Sequence, residues 1–315
     1  MLKMQNFDRY LCCAVNCVGM LPLKKTRWTL MKKYYHVCSL GLEKNLLFSD
    51  DQDFVTGVND IAISLLKFDI KLICYCLMSN HFHFILYGEK QVCCDFANEY
   101  KRRCGIRLRI NKMEVNALHN LIITVNEIDN IEYLENAIAY VLRNPLAAKI
   151  NIMPYHYQWS SADLYFRGAS QSKGDMVNDL PERKRYRILK TRIDLPSHYM
   201  VDDRGMILPE CFVEKELTER IFRHPSRLML LLAKRIESDI EQKFGVAERI
   251  SFSDSELKSL VNELIHNEFG ASGLAGLTTQ QKIELCHMMR KNFNASIKQI
   301  SRIVRIDSDI VATLV

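Results

Sequence analysis

Few stretches restrict a fold as tightly as Cys74-Tyr75-Cys76-Leu77-Met78-Ser79-Asn80-His81-Phe82-His83-Phe84-Ile85-Leu86-Tyr87, an apolar, aromatic run holding two histidines one residue apart. From Asp69 to Tyr87 the chain is too apolar for a surface helix, so it reads as a central strand with a break or turn near Ser79-Asn80. Side chains two apart on a strand share a face, so His81 and His83 present their imidazoles side by side. That is half of a metal site or a pair of packed core histidines, and the spacing alone leaves both open. A partner group lies far downstream in Tyr140-Val141-Leu142-Arg143-Asn144-Pro145, where helical (i, i+4) spacing puts Tyr140 and Asn144 on one face. Two imidazoles, an amide oxygen and a phenol make a set suited to phosphodiester chemistry. Each also has a plain structural role: Tyr140 can pack its ring in the core, and Asn144 before a proline can cap a helix end.

Periodicity elsewhere supplies the frame. Tyr34 to Leu40 predicts a first strand, and Asp51 to Lys67 a helix with Phe54, Val58, Ile61 and Leu65 at helical spacing. Gln91 to Arg103 predicts a second helix, Ile106 to Ile110 and Asn120 to Val125 two shorter strands, and Ile131 to Arg143 a third helix stopped by Pro145. This order gives an α+β fold, an antiparallel sheet with helices packed on it. Past Ser161 the composition changes. Gly168 to Asp179 is rich in Gly, Ser and Asp and reads as a linker, and from Leu208 onward only helical patterns remain. The expected division is residues 1–30 as an extension, 31–165 as the α+β domain, 166–207 as a partly basic linker and 208–315 as an all-α domain. The last two predicted helices, Ser296 to Val304 and Ser308 to Leu314, are spaced like a helix-turn-helix. The second has Asp307 and Asp309 near its start and no basic side chain to read bases, which leaves DNA contact and plain packing evenly matched.

Eleven cysteines, an odd number with several at apolar positions such as Cys74, Cys76, Cys211 and Cys286, argue for reduced thiols in a cytoplasm rather than a secreted disulfide framework. Cys12-Cys13 with Cys17, and Cys93-Cys94, lack the paired spacing of a zinc finger. Leu11 to Leu23 is about half the length a bilayer demands and no cleavage pattern follows it, so neither a membrane span nor a signal peptide is expected. Met31-Lys32-Lys33-Tyr34-Tyr35-His36 resembles the start of the family domain named below, so residues 1–30 are expected to be an upstream extension. A net charge of +6 is mild, so its distribution matters more than its size. Lys101, Arg102, Arg103, Arg107 and Arg109 form a basic cluster and are the candidates for phosphate-backbone contacts, against the alternative of a solvated face. Trp159 either stacks a base or plugs the end of a core.

The pairing of Met78-Ser79-Asn80-His81-Phe82-His83 with Tyr140-x-x-x-Asn144-Pro145 resembles the HUH single-tyrosine transposases, above all the branch of REP-associated tyrosine transposases. Tyr34-Tyr35-His36-Val37 and Tyr157-Gln158-Trp159-Ser160-Ser161 fit the same pattern, so the resemblance spans roughly residues 31 to 165. It departs at Ser79, where the family generally has proline, and at Ala162, where an aromatic residue is common. The resemblance implies a ferredoxin-like domain in which Tyr140 attacks single-stranded DNA, becomes linked to the 5′ phosphate and releases a 3′ hydroxyl. It also implies that His81, His83 and Asn144 hold Mg²⁺ or Mn²⁺, the amide ligand of the family being glutamine or asparagine. Tyr100 and Tyr133 have Cys104 and Ala137 at i+4, neither a ligand of that kind, so Tyr140 is the candidate nucleophile. The implied partner is single-stranded or hairpin DNA of REP-like sequence, bound by a monomer or homodimer in the bacterial cytoplasm, with no membrane involved. A second class of function is a domesticated hairpin-binding protein that has lost turnover. An RNA-binding sheet ranks third, because the aromatic pattern of such sheets is missing.

Overall fold

Four antiparallel strands in the order β2-β3-β1-β4 build the sheet: β1 (Lys33–Leu40), β2 (Lys71–Met78), β3 (His81–Gly88) and β4 (Ile122–Ile128). Ser79-Asn80 joins β2 to β3, so the apolar run of the sequence folds back on itself as a hairpin. The turn is held from outside. Ser79 O accepts the N–H groups of Leu47 and Phe48 at 2.7 and 3.0 Å, and Asn80 Nδ2 donates to Leu42 O at 3.2 Å. The computed structural model describes residues 31–40, 42, 46–110, 118, 121–148, 150, 153–168, 174–233, 252, 254–293 and 295–314. The expected extension 1–30, with Cys12, Cys13 and Cys17, lies outside them.

The two sheet faces carry different chemistry. On one, Phe82 and Phe84 meet Phe96 and Tyr100 of helix α2 (Lys90–Ile110), which lies beside α1 (Asp51–Leu65). On the other, His81 and His83 face helix α3 (Ile131–Ala147). Side-chain caps start two of these helices: Asp50 accepts the Asp53 N–H at 2.9 Å before α1, and Asn130 accepts the Tyr133 N–H at 2.8 Å before α3. The architecture is α+β, as expected.

Three local expectations change. Ile106 to Ile110 is helix, not strand, because α2 runs on to Ile110. The alternation of Ile106, Leu108 and Ile110 suits a strand, yet Phe96, Tyr100, Cys104 and Leu108, at helical spacing, are the buried positions, while Ile106 and Ile110 are 41% and 64% exposed. Helix α3 likewise passes through Pro145 instead of stopping before it. Proline removes one N–H from the ladder, and beyond it Ala148 N–H donates to Asn144 O at 2.9 Å. Asn144 is therefore a helical residue inside α3 and not its cap. Third, the described part of the expected linker is folded onto α1. β5 (Asp175–Met176) and β6 (Met200–Val201) pair, α4 (Glu182–Leu189) lies between them in sequence, and Val177, Leu189, Tyr199 and Ile207 form a small core with Ala62 and Ile63. Asn59 of α1 clamps it, donating to Gly205 O at 2.9 Å and accepting the Ile207 N–H at 2.7 Å.

The free edge of β2 is covered by later chain: Leu77 N–H donates to Trp159 O and Glu214 N–H to Leu72 O, both at 2.8 Å. Trp159 itself stacks on Phe54 at 4.9 Å as a core residue. Helices α5 (Lys215–Phe222) and α6 (Pro225–Ala233) pack on α3, and Arg227 reaches Glu135 at 2.7 Å. The helices α7 (Asp254–Phe269), α8 (Thr279–Phe293), α9 (Ile297–Val304) and α10 (Ser308–Leu314) follow among the described residues. Among the described residues no helix is long and apolar enough to cross a membrane.

Candidate active site

Strand alternation and helical spacing bring the sequence-predicted groups to one place. His81 and His83 lie on the same face of β3, their rings edge-on at 5.1 Å. From α3, Asn144 Oδ1 comes to 3.1 Å from His81 Nε2, and the Tyr140 ring stands edge-on to His83 at 5.7 Å. All four side chains are buried, Tyr140 with 4% of its surface exposed.

The structure adds residues that the sequence did not assign to the site, although His36 lies in the Tyr34-Tyr35-His36-Val37 stretch noted above. His36 of β1 places Nε2 3.0 Å from His83 Nδ1, and its ring meets that of Tyr140 edge-on at 5.9 Å. Cys38 is the direct partner of His83 in the β1–β3 register. One ligand atom from each of His36, Cys38 and His83 lies within 4.8 Å of the other two, so this buried trio could hold a metal ion. Asn80 Oδ1 sits 2.7 Å from His81 Nδ1. The register of β1 against β3, a long-range pairing, brings His36 and Cys38 beside His83, and the period of β1 by itself does not show it.

Hydrogen bonding orients the site. The Nδ2 of Asn80 is taken by Leu42 O, so its Oδ1 accepts the Nδ1–H of His81. On the other side of the ring, His81 Nε2 stands 3.1 Å from Asn144 Oδ1. A proton on Nε2 makes this contact a hydrogen bond, and without that proton the two atoms can share a cation. Asn144 Nδ2 is buried without a hydrogen-bond partner among the described residues. Beside the β2–β3 turn, Glu256 of α7 hydrogen-bonds with Ser79 and accepts from Tyr157 at 3.1 Å, and burial first, then the Glu256 charge, pushes the Tyr157 phenol well above its ordinary range.

The basic cluster lies elsewhere. Helix α2 packs on the opposite sheet face, and its cations are largely committed within the protein. Arg107 is buried, with its guanidinium over Phe48, an N–H to Leu47 O at 2.9 Å, and Asp53 and Asp60 at 3.7 and 3.6 Å. Arg103 pairs with Asp60 at 2.6 Å, Arg102 forks onto Glu99, and Lys101 reaches Leu121 O. Arg107 is thus committed inside the protein in this conformation. Arg109 and the outer part of Arg102 remain exposed.

No family model matches the chain, and no curated protein matches it. Among solved structures it is similar to a REP-associated tyrosine transposase bound to a REP hairpin, at 12% identity and a TM-score of 0.35, over 45% of this chain and 84% of the other. Similarity of that extent leaves the chemistry to be argued from the side chains themselves.

Proposed function

We propose that the chain is a metal-dependent single-strand DNA transferase with Tyr140 as nucleophile. The observation that carries this is the facing pair His81 Nε2 and Asn144 Oδ1 beside the Tyr140 ring. Two donors bound to one divalent ion at ~2.1 Å stand about 3 Å apart, which is the spacing of this pair, so the residues fit such an ion. His81, His83 and Asn144 would hold Mg²⁺ or Mn²⁺, which when bound supplies charge neutralisation at the scissile phosphate. Tyr140 oxygen attacks phosphorus, the bond to the 3′ oxygen breaks, and the phenol proton passes to water or a neighbouring base. The strand is left as a 5′-phosphotyrosine and a free 3′ hydroxyl, and rejoining reverses the step without ATP.

DNA of hairpin form is the proposed partner, with Lys101, Arg102 and Arg109 the remaining candidates for backbone contacts and Arg103, salt-bridged to Asp60, a weaker one. A single observation favours the second reading, a hairpin-binding protein without turnover: Tyr140 is buried in this conformation, so a strand reaches it only after covering elements move. An end-labelled single-stranded hairpin separates the two. Cleavage that a chelator stops and Mn²⁺ restores supports the transferase, and tight binding with no cleavage under any divalent ion supports the binding protein.

A further inference from the structure

We infer that His36, Cys38 and His83 form a second metal site, selective for Zn²⁺, and that filling it weakens divalent-ion binding at His81 and Asn144. The zinc site stands on its own geometry, and its antagonism rests on the function proposed above.

The ligand chemistry sets the selectivity. A thiolate is a soft ligand that Mg²⁺ does not take, whereas two imidazoles and a thiolate match the three-ligand, one-open-position sites of zinc. At Zn–N bonds of ~2.05 Å, two imidazole nitrogens on a tetrahedral ion sit about 3.3 Å apart. His36 Nε2 and His83 Nδ1 are at 3.0 Å, so a small spreading of the rings admits the ion. Cys38 stands directly opposite His83 in the sheet, and the three ligand atoms already lie within 4.8 Å of one another. Binding releases the thiol proton to solvent, and Thr124 Oγ1, 2.9 Å from Cys38 Sγ, is placed to donate to the thiolate. Asn126 is the cross-strand partner of His36 on β4, and its Nδ2 is buried without a hydrogen-bond partner among the described residues, so a polar group with unused capacity adjoins the trio.

The antagonism follows from one shared ring. Zinc on His83 Nδ1 draws that imidazole toward β1 and lowers the basicity of its other nitrogen. A second dication on the far side of the same ring would repel the first across a few ångströms of buried protein, where screening is weak. The two ions therefore compete although their remaining ligands differ.

Titrating the reduced full-length protein with Co²⁺ should give a thiolate charge-transfer band and the visible bands of a tetrahedral ion, removed by one equivalent of Zn²⁺. Cys38→Ser should lose the thiolate band. Cys76→Ser, whose residue also pairs with His83 but from β2, should keep it. X-ray absorption of the wild-type zinc protein needs no variant and should show one sulfur and two imidazoles at the metal. A band that survives in Cys38→Ser, or zinc bound with no sulfur or several, would overturn the site. Electron paramagnetic resonance of Mn²⁺ then reads the antagonism directly: zinc-loaded wild type should bind Mn²⁺ at least tenfold more weakly than zinc-free protein, and zinc should have no such effect on Cys38→Ser. Equal Mn²⁺ affinity with and without zinc would overturn the coupling. Normal Mn²⁺ competition in a protein that never cleaves DNA would sink the transferase reading and leave the two sites standing.

Discussion

His81 Nε2 and Asn144 Oδ1 stand 3.1 Å apart between β3 and α3, although 63 positions separate them in the chain. If the pair serves an ion, Asn144→Ala should raise the Mn²⁺ concentration needed for half-maximal cleavage roughly 10–100-fold while hairpin affinity stays within a factor of two or so. Cleavage titrated against Mn²⁺ and binding measured without metal give the two numbers. An equal loss in both would make Asn144 a packing residue.

Arg107 sits in a buried network with Asp53 and Asp60 on the face away from Tyr140. Removing it takes the arginine from Asp53 and leaves Asp60 with Arg103 alone, so Arg107→Met should cost about 3–5 kcal/mol in denaturant unfolding. Burial raises the Asp60 pKa against the pull of both arginines, which fits a group that depends on its partners. Arg109→Ala, at an exposed position, should leave stability nearly unchanged and reduce the salt slope of DNA binding by about 1. The opposite assignment of effects would restore Arg107 as a phosphate contact.

Glu99 gives the fold an acid-side dependence. The Arg102 hydrogen bond, aided by Lys67, holds its carboxyl down at about 2 against an ordinary 4.5. Because the folded state lowers this pKa, the stabilisation is present above about 4.5 and drains away as the pH falls toward 2. Glu99→Gln should therefore flatten part of that decline, seen as a smaller change in the denaturation midpoint across the window. An unchanged slope would mean the pair is too well solvated to count.

Much of the site was legible because it is periodic. A spacing of two on β3 and of four on α3 is enough to put His81 beside His83 and Tyr140 above Asn144, and the structure keeps both pairs. Pro145 misled as a stop signal, since one lost hydrogen bond near a helix end is tolerable when the next carbonyl finds its donor. Ile106, Leu108 and Ile110 misled because three alternating apolar residues satisfy the strand period over a window too short to exclude the helix. The packed stretch after Gly174 was hidden for another reason: its order comes from Asn59 and the apolar side of α1, more than a hundred positions earlier.

That long-range support bears on truncation. Residues 31–165 contain every group of the proposed site but lose Glu214 on the β2 edge, Glu256 at the β2–β3 turn, and α5 and α6 against α3. The shorter fragment should melt at least several degrees below residues 31–233 and lose amide-exchange protection in α3 first. Matching protection in the two fragments would show that the sheet domain stands alone.

The central claim is that Tyr140 forms a covalent bond to DNA, and peptide mapping of the protein–DNA adduct addresses it most directly. Full-length protein incubated with single-stranded hairpin DNA and Mn²⁺ should give an adduct that survives denaturing electrophoresis, with the nucleotide on the peptide containing Tyr140, and Tyr140→Phe should give none. An adduct mapped to any other tyrosine, or one that persists in Tyr140→Phe, would contradict the account.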